Sequence, residues 1–144
     1  MNRAHYLAVF ERIEEDGALD GRGHESARVD ANGALIRDTY WILWGGSPTE
    51  LGGDRLFRSQ EVDDNAVFDF TVRSVSTTVA GVFLESQKVQ DQLVGWVPEV
   101  EGRRCQKVRL TGSDKVKADP SIKPPLFYVD DEFELRSYFT REES

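Results

Sequence analysis

Thirteen residues near the end of the chain constrain its fold more than any other stretch. From Phe127 to Phe139 the sequence alternates: Phe127, Val129, Phe133, Leu135 and Phe139 fall on one side, and Tyr128, Asp130, Glu132, Glu134, Arg136 and Tyr138 on the other. A period of two is the mark of a strand with one buried and one wet face. Such a strand needs pairing partners and a layer to cover its apolar side. Asp131 breaks the pattern, standing on the apolar side where a hydrophobic residue is expected. It is expected to bond backbone groups at a bulge or strand end, or to reach an interface.

Partners for this strand can be read upstream. Ala66 to Val75 alternates as well, with Ala66, Phe68, Phe70 and Val72 against Asp69, Thr71 and Arg73, and is the best candidate for a central strand. Thr39-Tyr40-Trp41-Ile42-Leu43-Trp44 is apolar without alternation and is closed by Gly45-Gly46. That pattern predicts a strand covered on both faces, by the fold alone or by the fold and a neighbouring chain. Arg103 to Leu110 reads as a further strand of mixed pattern, with Cys105, Lys107 and Arg109 on one face and Val108 and Leu110 on the other. Asn32-Gly33, between Ala27–Val29 and Ala34–Arg37, is a strong signal for a small hairpin because both turn residues tolerate positive φ.

Two helices are expected to cover the sheet. In the first, residues 4–16, Tyr6, Val9, Phe10 and Ile13 recur at helical spacing, His5 lies on the polar flank, and Gly17 is a natural stop. Glu14, Glu15 and Asp16 lie at the end disfavoured by the helix dipole, so that end is expected to fray or to find an outside partner. The second follows the hydroxyl caps Ser76-Thr77-Thr78, places Val79, Val82, Phe83, Val89 and Leu93 on one side, and stops near Val94 before Gly95 and Pro98. Gly17 to Ser26 reads as a flexible connection, and Gly45 to Asp54, with four glycines and Pro48, as a mobile loop. The fold class is therefore α+β: one domain over residues 1–144, an antiparallel or mixed sheet of four to five strands, two helices on one face and a small hairpin.

Chemistry is sparse. The histidines His5 and His24 stand apart, so a zinc site would need carboxylates gathered from afar. Cys105, the sole cysteine, cannot form an intrachain disulfide and reads as a small packed side chain. The glycine-rich loop lacks phosphate-loop spacing, and no serine sits in a nucleophile elbow. Asp63-Asp64 and Asp130-Asp131 are the remaining acid–base candidates, and strand geometry sends Asp130 and Asp131 to opposite faces. No catalytic residue, cofactor or metal is expected. The formal net charge of −8 argues against gripping nucleic acid by its phosphates. No apolar run approaches the roughly 18 residues of a membrane span, and the chain is expected to be soluble and unprocessed.

Taken in order, D-A-N-G, T-Y-W-I-L-W-G-G, G-G-D-R-L, V-F-D-F-T-V-R-S-V-S, V-Q-D-Q-L-V-G and P-P-L-F-Y-V-D-D-E-F-E-L resemble the tail terminator proteins of long-tailed phages infecting actinobacteria. The resemblance runs from about Asn32 to Ser137 and lies in the joint order of the motifs. The polar Gly17–Ser26 stretch and the doubled Asp130-Asp131 depart from it. It implies a structural virion protein at the head-proximal end of the tail. Such a protein forms a homohexameric ring that stops tube polymerisation, binds the tail tube protein and a head-completion or stopper protein, and lets DNA pass without specific binding. Two loops are the candidate interface: Leu51, Arg55, Leu56 and Phe57 in one, and Lys115, Val116, Lys117, Ile122 and Lys123 in the other. A different neck component, such as a head–tail adaptor or stopper, and a small ligand-binding or enzymatic α+β domain are the competing readings.

Overall fold

The computed structural model describes residues 3–24, 38–50 and 66–139. The expected C-terminal strand is present as β7 (Phe127–Phe139) and organises the sheet. It runs antiparallel to β3 (Ala66–Ser76), in register from Ala66 opposite Ser137 to Ser76 opposite Phe127. Val129, Asp131, Phe133, Leu135 and Ser137 are buried, so the alternation holds with two polar residues on the inner side. β3 pairs in turn with β2 (Tyr40–Glu50), which makes it a central strand. β1 (Gly23–His24) adds to β2 in parallel.

The far edge of β7 is taken up by three short antiparallel strands, β4 (Arg103–Cys105), β5 (Arg109–Ser113) and β6 (Lys117–Ala118). The single strand expected over 103–110 is thus split. Between β4 and β5 the Val108 amide donates to the Trp96 carbonyl at 2.8 Å, and Val108 itself is buried. The chain leaves the sheet edge there to put an apolar side chain into the core. The seven strands among the described residues exceed the expected four to five because β7 is long enough to seat three short partners along one edge. The segment carrying the expected hairpin, 27–37, lies outside the described residues.

Two expectations around β2 are corrected. The strand does not close at Gly45-Gly46; it continues to Glu50 through a register shift between Gly45 and Pro48. Glycine and proline are tolerated at such a bulge, the more so because no described strand pairs with the outer edge of β2 beyond Ile42. Nor is residues 17–24 merely a connection. Asp16 Oδ1 accepts the Ala18 amide at 2.8 Å, Leu19 is fully buried, and the Leu19 carbonyl accepts the Trp41 indole N–H at 3.0 Å. Tyr40, Trp41, Ile42 and Leu43 are all buried by this chain's own residues, so no neighbouring chain is needed to cover that stretch.

Helices α1 (Arg3–Glu14) and α2 (Val79–Leu93) pack on one sheet face. Val9 and Ile13 of α1 and Val89 and Leu93 of α2 form the main core with Trp41, Leu43, Phe68, Phe70, Val72, Phe133 and Leu135. The fold is α+β. Thr78 caps α2, its side chain accepting the Gly81 amide at 3.0 Å. At the end of α1, Arg12 answers Glu15 at 2.7 Å and also donates to the Gln92 carbonyl at 2.9 Å, which ties that acidic end to α2. The opposite sheet face carries a smaller cluster of Tyr40, Ile42, Val75 and Leu126, with Ile122 and Tyr128 packed against it.

Candidate functional site

Along β2, β3 and β7 the residues pointing away from α1 and α2 include Trp44, Asp69, Thr71, Arg73, Asp130, Glu132 and Glu134. Arg73 and Asp130 are direct cross-strand neighbours and form a two-pronged pair, Nε to Oδ1 at 2.7 Å and Nη2 to Oδ2 at 2.9 Å. The guanidinium also lies over Trp44 at 4.8 Å and Tyr128 at 4.2 Å. Hydrogen bonding to Asp130 pushes the Arg73 pKa still higher. A planar cation with a fixed fork suits such a sandwich better than an ammonium does. Beside it, Tyr40, Ile42, Val75, Ile122, Leu126 and Tyr128 line a depression of about 80 Å³.

A wider and more acidic depression, about 530 Å³, lies next to this clasp, bordered by Trp44, Asp69, Thr71, Thr111, Glu132 and Glu134. Asp69 sits directly opposite Glu134 across the β3–β7 ladder, and like charges so placed destabilise a sheet. Arg136 answers Glu134 at 2.9 Å. Asp69 and Glu132 make no ion pair among the described residues.

Inside the molecule, polar groups tie elements together. Asp131 accepts hydrogen bonds from Ser86 and Ser113, each at 2.5 Å, and from Gln90 at 3.3 Å. Neither expectation for Asp131 holds: its partners are side chains of α2 and β5. Its neighbour Asp130 points to the opposite face, as strand geometry required. His5 is buried rather than on a polar flank, with Nε2 2.8 Å from Ser137 Oγ. Arg103 Nε donates to the same oxygen at 2.8 Å, and the Cys105 thiol lies 3.8 Å away. Burial raises the Cys105 pKa, which keeps the sulfur protonated, and the side chain packs as a small residue. Glu85, buried on α2, pairs with Arg22 at 3.0 Å, yet burial still raises its pKa. Asp63-Asp64 lies outside the described residues. Among the described residues no group of three or more His, Cys, Asp or Glu could hold a metal ion, and no helix is long and apolar enough to cross a membrane.

Of the expected interface residues, Leu51, Arg55, Leu56 and Phe57 lie outside the described residues. Lys115, Lys117 and Lys123 are exposed and Val116 is half-buried. Lys117 sits in β6 and approaches Asp114 at 3.6 Å. Ile122 turns inward onto the smaller cluster, so a change there reports on the fold as well as on docking. A different surface went unrecognised. Phe83 and Val79, expected on the buried side of α2, are exposed with Leu84, while the buried flank is taken by Val82, Glu85, Ser86, Val89 and Leu93. The signal was Val82-Phe83-Leu84: three consecutive apolar residues span more of a helix than one core-facing stripe can bury.

No family model matches the chain, and no curated protein matches it. Among solved structures, the fold is similar to that of a chain in "Virion of native gene transfer agent (GTA) particle", with a TM-score of 0.66 and 19% sequence identity, over 94% of this chain and 95% of that one. What the likeness shows is a shared fold, nearly end to end in both chains.

Proposed function

We propose that this chain is a structural component of a phage-like virion, and specifically the terminator of a tail tube. Copies close into a homohexameric ring on the head-proximal end of the tube, block further addition of tube subunits, and offer their other side to head-completion proteins. It works through shape and surface, without a catalytic centre or cofactor. The observation that carries this reading is the end-to-end fold likeness to a chain of a virion particle, joined to the order of sequence motifs from Asn32 to Ser137. The surface agrees with it: the described faces combine exposed apolar side chains with shallow acidic depressions. Net charge of −8 per copy suits a ring through which DNA slides without adhering, because like charge repels the phosphates.

A pull-down from purified components tests the assignment. The protein is expected to retain tube protein, in particular the ends of short tubes. Retention of the portal-side connector alone would instead make it an adaptor or stopper of the neck.

A further inference from the structure

Residues 15–24 cross from the end of α1 to β1 as a strap that touches β2 through Trp41 and α2 through Glu85. The Leu19 and Asp20 amides donate to the Asp16 carbonyl and the Arg22 amide to the Leu19 carbonyl, while the Trp41 amide and indole N–H donate to the carbonyls of Arg22 and Leu19. On the α2 side Arg22, 40% exposed, donates to Glu85 Oε1 at 3.0 Å. Glu85 itself is only 1% exposed, and its second oxygen, Oε2, has no hydrogen-bond partner among the described residues. Ser74 Oγ, on the sheet beneath, is likewise buried without one. Gly81 stands close over Ser76, and Ser86 bonds Asp131, which faces Val72 across the ladder; between those two points α2 carries Glu85 past the level of Ser74.

A single ion pair does not offset the burial of a carboxylate that leaves one oxygen unbonded. Burial accordingly raises the Glu85 pKa; Arg22 and then Lys88 oppose the rise, and Asp16 adds to it. Those are the charged groups that face it, Arg22 and Asp16 from the strap and Lys88 from α2, while β2 and β3 bring Trp41 and Ser74, which do not titrate. His24, at the end of the strap, lies against Tyr40 on the other sheet face.

We propose that Glu85 is a proton-held latch: with a proton on its free oxygen the strap lies closed on α2, and loss of that proton loosens it. Opening lifts Arg22 away and lets water reach the carboxyl, so the open form binds the proton no better than a free glutamate does. The closed form binds it more tightly, and closure loses ground as pH rises through the carboxyl's folded pKa. The proton also makes Oε2 a donor at the level where Ser74 Oγ lacks a partner. An exposed salt bridge has the opposite dependence, tightening as its carboxylate ionises.

Hydrogen exchange of the full chain, followed amide by amide by NMR from about pH 5 to about pH 8 and corrected for the intrinsic pH dependence of exchange, tests the latch. Protection of the Leu19, Asp20 and Arg22 amides is expected to fall about threefold to tenfold as pH rises, while amides of the β3–β7 ladder, the control for global stability, do not follow. Glu85→Gln, a neutral isostere, should hold the strap closed with no such slope. Arg22→Gln should deepen the loss at the upper end, because the carboxylate there is then unpaired. Titration of the Glu85 carboxyl carbon in wild-type protein gives an answer that needs no variant to fold, and its midpoint is expected above the ordinary glutamate range. A midpoint within that range, flat strap protection in wild type, an equal slope in Glu85→Gln, or protection that grows with pH would each overturn the latch.

Discussion

Ser137 Oγ accepts the Arg103 Nε–H and lies 2.8 Å from His5 Nε2. Burial is the main cause that lowers the His5 pKa from 6.5 to about 4, and the charge of Arg103 adds to it. Folded protein therefore binds fewer protons at this site than unfolded protein between those two values. Stability falls as pH drops from about 6.5 to about 4 and is indifferent to this group outside that window. The full effect is on the order of 3 kcal/mol. His5→Gln is expected to flatten this part of the acid limb when urea midpoints are measured against pH; parallel limbs for wild type and variant would refute the role. At the sheet surface, Arg73→Lys keeps the charge but loses the fork to Asp130 and the stacking on Trp44 and Tyr128. A loss of about 1–2 kcal/mol in chemical denaturation is expected. Gly23 has a stricter limit: a methyl group there would run into the Trp41 indole and the Phe10 ring, so Gly23→Ala should destabilise by about 1–3 kcal/mol.

Asp131 couples α2, β5 and β7, because its three donors come from the first two and its backbone from the third. Asp131→Ala strands the buried Ser86 hydroxyl and should cost about 2–4 kcal/mol. Thr78→Ala, which removes only the cap of α2, should cost about 1 kcal/mol. Thermal unfolding of both variants reads the difference, and equal losses would mean that Asp131 is not a tie between elements. β7, β3 and the cap of α2 were legible because their signals are local: alternation, helical spacing and a hydroxyl before the first turn. The partners of Asp131 were not, since Ser86 and Ser113 are 45 and 18 residues away along the chain. The extent of β2 is not legible, because Gly45-Gly46 and Pro48 punctuate a sequence whether the chain ends a strand there or bulges and continues. Residue type puts His5 on the outside, and only tertiary packing brings Ser137 to it. The surface fared worse than the fold. Lys115, Lys117 and Lys123 are exposed, Ile122 packs on the smaller cluster, and the exposed Phe83 and Leu84 lie among core-like helical residues.

Among the described residues, two helices cover one face of the sheet, the other face is partly open, and the outer side of α2 exposes Phe83 and Leu84. In the proposed role, copies of this subunit close into a ring on the tube end. In the proposed ring the net charge of −8 on each copy would sum, yet screening over about 8 Å at physiological salt keeps repulsion between distant copies small. The decisive measurement is the length of tubes assembled from purified tube protein in the presence of this chain, seen by electron microscopy. Growth should stop in proportion to the protein added, with a ring at one end of each tube. Tubes that lengthen as freely as without it, their ends bare, would contradict the proposed role.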